Sequence, residues 1–362
     1  MKVLNLLVSG RHGGIETLCN NIDKYGDIDN YWIFLFSGGE IANEMKQRNE
    51  DKVFLLGYSK IQLLKFINKI NNICKEKEID IINIHHESLY GNIIYCLLKK
   101  YNPNIKFVRI LHSCYEDKYN LGKGIIKDKI ILYYKKIALQ KSDLIVGVSN
   151  AVVKSYEDKF DIKNIKKTVI YNGISNKFFE TEAKNKVKKE IIYVGRLEKV
   201  KGVDILIKAI GILKNDKLHL TIVGDGSERQ NLENLVSKLK ITDFVAFEGK
   251  QNNVINWLDR AEIFVYPSVW EEAFGISVVE AMARNCIPIT FNKGGLPEII
   301  KDEENGFIVK KIDEEYLANK IKYVIEIENK EKIIKNIKNT AKKFSINSTI
   351  ENLKEAYSLL LN

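Results

Sequence analysis

Residues 263–283 read IFVYPSVWEEAFGISVVEAMA. The apolar run 263–266 predicts a strand, Pro267 breaks it, and the apolar residues after Gly275 predict a helix. Glu280 lies inside that helix. Because an unpaired buried carboxylate is costly, we expect it to meet hydrogen-bond donors such as the diol of a ribose or a sugar. The helix N-terminus near Gly275 offers free N–H groups to a phosphate. This stretch therefore predicts a sugar and a phosphate at one strand-to-helix junction.

The rest of the chain repeats this alternation of apolar strand and helix. Near-continuous apolar strands between helices are typical of parallel sheets that are covered on both faces. Two such arrays in series predict an α/β protein with two doubly wound domains, and 362 residues are too many for one ordinary core. The polar segment 176–190 is the expected boundary. The predicted strands are 3–8, 31–36, 53–55, 79–84, 107–111 and 144–148, then 191–194, 218–223, 245–248, 263–266 and 287–290.

Two further strand ends carry residues that suit phosphate. Gly13 and Gly14 follow the first strand, where adjacent glycines let a backbone approach a ligand closely. The run is not the G-x-G-x-x-G pattern of dinucleotide sites. Arg196 and Lys201 follow strand 191–194. An arginine grips phosphate with two hydrogen bonds and a lysine acts as a point charge, so the pair is suited to neutralise a departing diphosphate without a metal.

Histidines end two successive predicted strands of the first half. His112 follows strand 107–111, and polar residues at the carboxyl ends of parallel strands face bound ligands. A histidine that only caps a loop fits the same pattern. His85 and His86 end the preceding strand, where a rim or acceptor contact is the functional alternative to a structural role.

Taken in order along the chain, these motifs resemble those of the retaining glycosyltransferases of family 4, the group 1 glycosyltransferases. Glu272 and Glu280 correspond to the Glu-x7-Glu signature of that family. The resemblance covers most of the chain and is strongest over residues 191–299. The other matching motifs are GGIE (13–16), LHS (111–113), SDLIVGVS (142–149), VIYNGI (169–174), GRLEKVKG (195–202), VGDG (223–226), FEGK (247–250) and GGLPE (294–298).

The resemblance implies a GT-B architecture, in which two doubly wound Rossmann-like domains face each other across a cleft. Residues 1–176 would bind the acceptor and residues 177–343 the nucleotide sugar, while 344–362 would form a helix that packs back on the N-terminal domain. The implied reaction is metal-independent hexosyl transfer with retention of configuration. The donor would be a nucleotide-diphosphate sugar, with a UDP-sugar favoured, and the acceptor a glycan or lipid-linked molecule in cell-surface polysaccharide biosynthesis.

The resemblance also implies roles for individual residues. His112 would stabilise positive charge at the anomeric carbon, Glu272 would hold sugar hydroxyls and Glu280 the ribose. Cations and the helix N-terminus would stabilise the departing diphosphate, which itself would take the acceptor's proton. The implied catalytic residues are His112 and Glu272, and the implied donor-binding residues are Gly13, Gly14, Arg196, Lys201, Gly224, Lys250, Glu272, Phe274, Gly275, Ile276 and Glu280.

No cofactor or metal is expected, since the nucleotide sugar is a substrate. The five cysteines are scattered and show no C-x-x-C pair, which argues against zinc and for a reducing compartment. Asp27 and Asp29 spell D-x-D, but they precede a strand of the first domain and have no matching carboxylate near the donor motifs.

The net charge of +10 is concentrated in the first half of the chain. Residues 1–178 hold 28 Lys+Arg and 19 Asp+Glu, a net charge of +9. Such a surface attracts anionic partners, or it is an ordinary solvated lysine-rich surface. Nucleic acid is not an expected partner because no recognisable nucleic-acid module is present. No run approaches the roughly 18 apolar residues of a membrane span, so we expect a cytoplasmic protein, with peripheral contact to the inner face of the cell membrane as an option.

One segment bears on that option. Residues 119–141 place Ile126, Ile130, Tyr133 and Ile137 at helical spacing. Two interpretations stay open: a basic amphipathic face that rests on an anionic membrane, or an ordinary helix that packs these residues on the sheet. The lysines around them are Lys123, Lys127, Lys129, Lys135, Lys136 and Lys141.

Two other functions use the same fold. An epimerase of sugar nucleotides would convert the donor without any acceptor. A catalytically silent partner subunit would lack the charged groups, and the presence of Arg196, Lys201, Glu272 and Glu280 argues against it. The base, the sugar, the acceptor, the linkage and the oligomeric state are not determined by the sequence.

Overall fold

The protein is described from a computed structural model, which covers residues 1–11, 13–57, 62–117, 121–122, 124–181 and 186–362. Two features named above fall partly outside these residues: residues 119, 120 and 123 of the lysine-rich segment 119–141, and 182–185 of the expected boundary. The chain divides into two compact units. The N-terminal unit comprises Met1–Gly173 with Ile346–Asn362, and the C-terminal unit comprises Ile174–Ser345.

The N-terminal unit is built on a seven-stranded sheet in the order β3-β2-β1-β4-β5-β6-β7. The recorded strand pairings are parallel. The strands are β1 (Lys2–Ser9), β2 (Asp29–Ser37), β3 (Val53–Leu55), β4 (Ile81–Ile84), β5 (Lys106–Leu111), β6 (Leu144–Gly147) and β7 (Lys167–Val169). The helices are α1 (Gly14–Tyr25), α2 (Glu40–Arg48), α3 (Leu63–Lys77), α4 (Leu89–Tyr101), α5 (Ile125–Gln140) and α6 (Asn150–Glu157).

The C-terminal unit holds a six-stranded sheet in the order β10-β9-β8-β11-β12-β13, and its recorded pairings are also parallel. The strands are β8 (Val187–Val194), β9 (His219–Val223), β10 (Val245–Gly249), β11 (Ala261–Tyr266), β12 (Ile287–Phe291) and β13 (Phe307–Val309). The helices are α7 (Val203–Ile212), α8 (Arg229–Leu239), α9 (Ile255–Arg260), α10 (Ile276–Ala283), α11 (Leu296–Ile299), α12 (Glu314–Glu326) and α13 (Glu331–Lys343).

The central strands are buried along their length, which is why they read as continuous apolar runs. All four residues of β4 are buried, and so are all five of β12. Helices cover such sheets on both faces, so each strand loses its exposed side. The predicted α/β fold with two doubly wound domains is confirmed. Two strands were not predicted, β7 and β13; each has only three residues and ends its sheet.

The last helix, α14 (Ile346–Leu361), belongs to the N-terminal unit. Thr349 Oγ1 donates a hydrogen bond to the carbonyl oxygen of Tyr171 at 2.9 Å, and Lys354 pairs with Asp27. Asn83 Nδ2 donates to Tyr357 Oη at 2.6 Å. Within the described ranges, no helix is both long and apolar enough to cross a membrane.

Candidate active site

Both sheets reverse their strand order once, and several candidate residues follow the strands at these reversals. In the C-terminal unit the order turns between β8 and β11, and in the N-terminal unit between β1 and β4. Ligands of open parallel sheets bind outside the carboxyl ends of the strands at such a point. The loop 195–202 follows β8 and the loop 267–275 follows β11, so both lie at the reversal of the C-terminal sheet.

These two loops are fastened to each other. Val269 N donates to Val200 O at 3.0 Å, and Ser268 Oγ lies 3.3 Å from the same carbonyl oxygen. Gly202 has φ +65°, and a Cβ there would lie 2.2 Å from Pro267 O. Only glycine fits such a close approach of two backbones at positive φ. The contact brings Lys201 to the end of β11.

Lys201 and Glu272 form a largely buried ion pair at this place. Lys201 Nζ lies 2.6 Å from Glu272 Oε1. Ser268 Oγ donates to the same oxygen at 2.5 Å, and Tyr266 Oη at 3.2 Å. Lys201 Nζ also lies 3.1 Å from Tyr266 Oη. Burial, with the charge of Glu272 next, raises the pKa of Tyr266 well above its ordinary value, so the hydroxyl stays a donor. One carboxylate oxygen thus binds three donors, two from the loops and one from the end of β11.

Arg196 lies at the start of the same loop and has a different environment. Its side chain is 73% exposed, and Nη1 lies 2.5 Å from Glu198 Oε1. Tyr193 Oη donates to Arg196 O at 2.9 Å, which holds the backbone in place. A surface ion pair is weak and easily exchanged. The guanidinium is therefore available to an anionic ligand, whereas the Lys201 ammonium group is already paired with Glu272.

The segment before α10 is held on its other side by the loop 293–295. Lys293 Nζ lies 2.8 Å from Glu271 Oε1, and Gly294 N donates to Glu271 Oε2 at 2.8 Å. Gly295 N donates to Glu272 O at 2.6 Å. The GGLPE motif thus fixes the backbone that carries Glu272.

Helix α10 begins directly after this segment. Gly275 is its N-cap residue with φ 107°, a conformation that side chains rarely adopt. Phe274 is buried, and its ring packs on Phe344 at a centroid distance of 5.3 Å. The N–H groups of Ile276 and Ser277 begin the helix, where no intrahelical carbonyl is in reach, whereas Val278 N donates to Gly275 O at 3.0 Å. The predicted contacts of Phe274, Gly275 and Ile276 with a donor stay predictions.

Glu280 lies one helical turn further along α10 and is half-buried. Burial raises the pKa of its carboxyl group from the ordinary 4.5 to about 7, against the opposing effect of the Lys177 charge. Ionising Glu280 in the free protein is therefore costly. Hydrogen-bond donors from a ligand would lower this cost.

The VGDG motif (223–226) follows β9, and the FEGK motif (247–250) lies at the end of the neighbouring strand β10. Gly224 has φ +144°, and a Cβ there would lie 1.8 Å from Gly195 O, so this glycine lets two strand ends touch. Arg229 stacks on the Phe247 ring with a centroid distance of 4.9 Å. Lys250 is exposed. The predicted pocket at Gly224 and Lys250 stays a prediction.

In the N-terminal unit, the glycine pair and His112 follow β1 and β5. Gly13 caps α1, and Gly14 is its first residue. His112 Nε2 lies 3.0 Å from His85 Nδ1, and the two rings are stacked. Burial lowers the pKa of His112 to about 4, although the charge of Glu87 raises it. His85 is buried, so a rim contact does not fit it, while His86 lies 2.5 Å from Ser88 Oγ.

The D-x-D spelling has a structural explanation. Asp27 pairs with Lys354, and Asp29 Oδ1 lies 2.7 Å from Lys52 Nζ. Both carboxylates are thus bound by lysines. In the part of the chain that the structure describes, no cluster of three His, Cys, Asp or Glu side chains is arranged to hold a metal ion.

Two family models match the chain in succession. One, described as Glycosyltransferase Family 4, matches residues 14–178, and the other, described as glycosyl transferases group 1, matches residues 175–343. An uncharacterised glycosyltransferase of Methanocaldococcus jannaschii is 31% identical over 291 residues, which span 80% of this chain and 78% of the relative. The chain belongs to the group 1 glycosyltransferases. The family and the GT-B fold predicted from the motifs are confirmed.

Two other comparisons extend this result. A Campylobacter jejuni enzyme, named N-acetylgalactosamine-N,N'-diacetylbacillosaminyl-diphospho-undecaprenol 4-alpha-N-acetylgalactosaminyltransferase, is 31% identical over 232 residues, or 63% of this chain and 62% of that enzyme. The crystal structure of Anabaena HepE in complex with UDP superposes with a TM-score of 0.83 at 20% identity, over 99% of this chain and 100% of HepE. The likeness to HepE shows the shared fold.

Sequence reasoning missed several partners in this glycosyltransferase. Tyr266 and Ser268 bind the carboxylate of Glu272, and neither contact was predicted. His85 contacts His112 directly. A signal was available for His85, because two successive parallel strands that both end in histidine bring those histidines together if the strands are neighbours.

Helix α5 of this glycosyltransferase carries the lysine-rich segment, and one of its faces is packed. Its packed face is formed by Ile131, Ala138 and Leu139, together with a buried Lys135. Ile126 is 77% exposed and Tyr133 is 61% exposed, and Ile125 and Ile130 are exposed as well. Ile126, Ile130 and Tyr133 thus form an exposed stripe, while Ile137 is half-buried and α5 packs through its other face.

Proposed function

We propose that this glycosyltransferase moves a hexosyl group from a UDP-sugar to a lipid-linked glycan, with retention of anomeric configuration and without a bound metal. The observation that carries the proposal is the fastened pair of loops at the reversal of the C-terminal sheet, where Lys201, Glu272 and the exposed Arg196 follow neighbouring strands. HepE, which has the same fold, binds UDP in its crystal structure.

Departure of a diphosphate is the step that these residues are suited to assist. Arg196 is free to grip phosphate oxygens with two hydrogen bonds, and the first turn of α10 offers N–H groups. Lys201 would leave its ion pair with Glu272 and bind the phosphate. The Glu272 carboxylate could then accept hydrogen bonds from sugar hydroxyls. Preorganised donors of this kind contribute about 100- to 1,000-fold each in rate. With three sources of positive potential, no metal is needed, so EDTA should leave transfer unchanged.

A thermal-shift panel with UDP, GDP, ADP and dTDP tests the donor site. At 100 times its dissociation constant, a ligand adds about 2.7 kcal/mol of apparent stability. We expect UDP to stabilise the wild type and not Arg196→Ala. Arg260→Ala, which changes an exposed arginine of the same unit, is the matched control and should respond like the wild type. Equal responses of all variants, or no response to any diphosphate, would count against the proposed site.

The acceptor is proposed to be membrane-borne. The Campylobacter jejuni relative is named for an undecaprenol-diphosphate acceptor. The exposed apolar stripe of α5, formed by Ile126, Ile130 and Tyr133, lies among exposed lysines, including Lys127, Lys129 and Lys136. Apolar insertion together with lysine charge is how amphipathic helices bind anionic membranes. The N-terminal unit would then hold the enzyme at the inner face of the membrane.

Co-sedimentation with vesicles that contain an anionic phospholipid tests this contact. The wild type should bind at low salt and dissociate as salt screens the lysines. Ile126→Ser with Tyr133→Ser should abolish binding. Leu64→Ser is the matched control, because Leu64 is 72% exposed on α3 and stands outside the stripe. Equal loss in the Leu64 variant, or no binding by the wild type, would refute the membrane contact and leave the donor proposal intact.

A further inference from the structure

The histidine pair of the N-terminal unit is the end of a chain of hydrogen bonds that starts at the backbone of β2. The chain runs from the carbonyl of Tyr31 through Asn5 and His85 to His112. Its members lie in one compact unit, and Asn5 and His85 are almost fully buried. Each link constrains which atom of the next residue carries a proton.

The first link fixes the direction of the Asn5 amide. A backbone carbonyl only accepts, and Tyr31 O lies 3.4 Å from Asn5 Nδ2. Asn5 Nδ2 also donates to Asn30 Oδ1 at 3.0 Å. The oxygen of the Asn5 amide therefore lies on the other side, where Asn83 Nδ2 donates to it at 2.8 Å.

The second link fixes the tautomer of His85. Its Nε2 lies 3.3 Å from Asn5 Oδ1, which is an acceptor, so Nε2 carries the proton. Burial holds the pKa of His85 well below its ordinary value, and the ring is neutral. The Nδ1 atom of His85 therefore has a lone pair. Cys19 Sγ lies 3.8 Å from this nitrogen, further away than His112 Nε2, and burial keeps Cys19 a thiol by raising its pKa.

The third link transfers the constraint to His112. His85 Nδ1 accepts, and it lies 3.0 Å from His112 Nε2, so His112 Nε2–H donates. The charged groups that act on the pair are few: Glu87 raises the pKa of His112, and Glu16 and Asp23 act on Cys19. Burial outweighs Glu87, and the pKa of His112 is about 4. Near neutral pH the ring of His112 is uncharged, with its lone pair on Nδ1.

We propose that His85 is a positioning residue of this enzyme: held by Asn5, it locks His112 in the Nε2–H tautomer, so that His112 Nδ1 meets the substrate as a hydrogen-bond acceptor for a hydroxyl. The final clause rests on the proposed function, because it takes His112 to contact the donor sugar. A neutral ring suits that place, since an imidazolium beside the anomeric carbon would repel the positive charge that develops there.

Histidine NMR tests the tautomer directly. Long-range proton–nitrogen spectra of the protein labelled with 15N-histidine report which ring nitrogen is protonated. Between about pH 6 and pH 8 we expect His112 to show a protonated Nε2 and an unprotonated Nδ1, with its signals assigned by their loss in His112→Gln. An unprotonated Nε2 or a doubly protonated ring would overturn the proposal. The spectrum needs no substrate, so its outcome is separate from a failure of UDP binding, which would concern the proposed function.

Three variants test the consequence for catalysis. His85→Phe removes the acceptor of His112 Nε2–H, and His85→Gln keeps an amide oxygen there. Tyr357→Phe, the control, removes the hydroxyl that accepts from Asn83, a bond outside the chain that ends at His112. The readouts are the His112 tautomer, the affinity for UDP, and kcat/KM for hydrolysis of the UDP-sugar that the enzyme cleaves fastest without acceptor.

We expect His85→Phe to give a mixture of His112 tautomers and a loss of about 10- to 100-fold in kcat/KM, the range that a misplaced reacting group produces. UDP affinity should not change, and His85→Gln should restore most of the rate. Tyr357→Phe should keep the single tautomer and the rate. A His85→Phe enzyme with one tautomer and the wild-type rate would overturn the proposal. If this variant does not fold, the wild-type spectrum decides alone.

Discussion

Replacing Glu280 by glutamine should stabilise the free enzyme while it weakens nucleotide binding. Burial on α10 raises the pKa of this carboxyl group from 4.5 to about 7. Each pKa unit corresponds to about 1.4 kcal/mol between the two protonation states, so ionising Glu280 in the folded protein costs about 3 kcal/mol. The side chain is half-buried and keeps part of its hydration, so we expect a measured effect of about 2 to 3 kcal/mol.

The pH dependence of this effect has a definite sign. Between about pH 4.5 and pH 7 the folded state binds more protons at Glu280 than the unfolded state does, so stability falls as the pH rises through this window. Above pH 7 the contribution is constant. Glutamine resembles the protonated form and carries no such penalty. The stability difference between Glu280→Gln and the wild type should therefore be less than about 1 kcal/mol at pH 5 and complete at about pH 8.

Thermal unfolding of both proteins across this range measures the difference. For a unit of about 150 to 250 residues, 2 to 3 kcal/mol corresponds to a rise in Tm of about 5 to 10 °C. Glu328→Gln, at an exposed carboxylate of the same unit, controls for the loss of one negative charge and should show no such trend. A Tm difference that is the same at pH 5 and pH 8 would refute the reasoning, since it would then not arise from ionisation.

Three further predictions concern the same loops. The UDP affinity of the wild type should fall about tenfold from pH 8 to pH 6, because the ribose diol binds the ionised form of Glu280. In Glu280→Gln the affinity should lack this dependence on pH. The same pH dependence in both proteins would contradict the prediction. Lys201→Met should lower the free energy of unfolding in urea by about 3 kcal/mol, because it leaves the Glu272 carboxylate without its cation. Adding Glu272→Gln should recover this stability but not the activity. Additive stability losses in the double-mutant cycle would show that the pair is not coupled. Arg196→Ala should change stability by less than about 0.5 kcal/mol, because the side chain is 73% exposed, while transfer falls about 100- to 1,000-fold; a large drop in Tm would instead indicate a structural role.

The strands could be predicted because burial on both faces leaves a simple pattern. Runs such as β4 and β12 have no polar alternation, and their length separates them from helices. The order of the strands in the sheets, however, follows from packing and not from local pattern. The motifs supplied this order only through their resemblance to a known family. Which face of a helix is exposed also depends on packing. For α5 the sequence periodicity identified an apolar stripe, and the structure showed that Ile126, Ile130 and Tyr133 of this stripe face away from the packed side.

Individual site residues were predicted where one residue type suits one ligand group, as with Arg196 and Glu280. Their protein partners were not. Lys201 and Glu272 are 71 residues apart and meet because the loops that carry them follow β8 and β11, which are neighbours in the sheet. The sequence indicates a phosphate for Lys201 and sugar hydroxyls for Glu272. It does not reveal that the two side chains form an ion pair with each other in the free protein.

The same reasoning explains why His85 was underrated. Ile84 of β4 is paired in register with Arg109 of β5, so the chain leaves these two neighbouring strands at nearly the same level, and His85 and His112 are brought within hydrogen-bond distance. Asn5 comes from β1, the other neighbour of β4, where the strand order reverses. A protonation state at the candidate site is thus set by three adjacent strands. Substitutions on β1 should therefore alter His112 even where they touch no ligand, and Asn5→Leu, which removes the acceptor beside His85 Nε2, is the change that the geometry predicts to release the tautomer of His112.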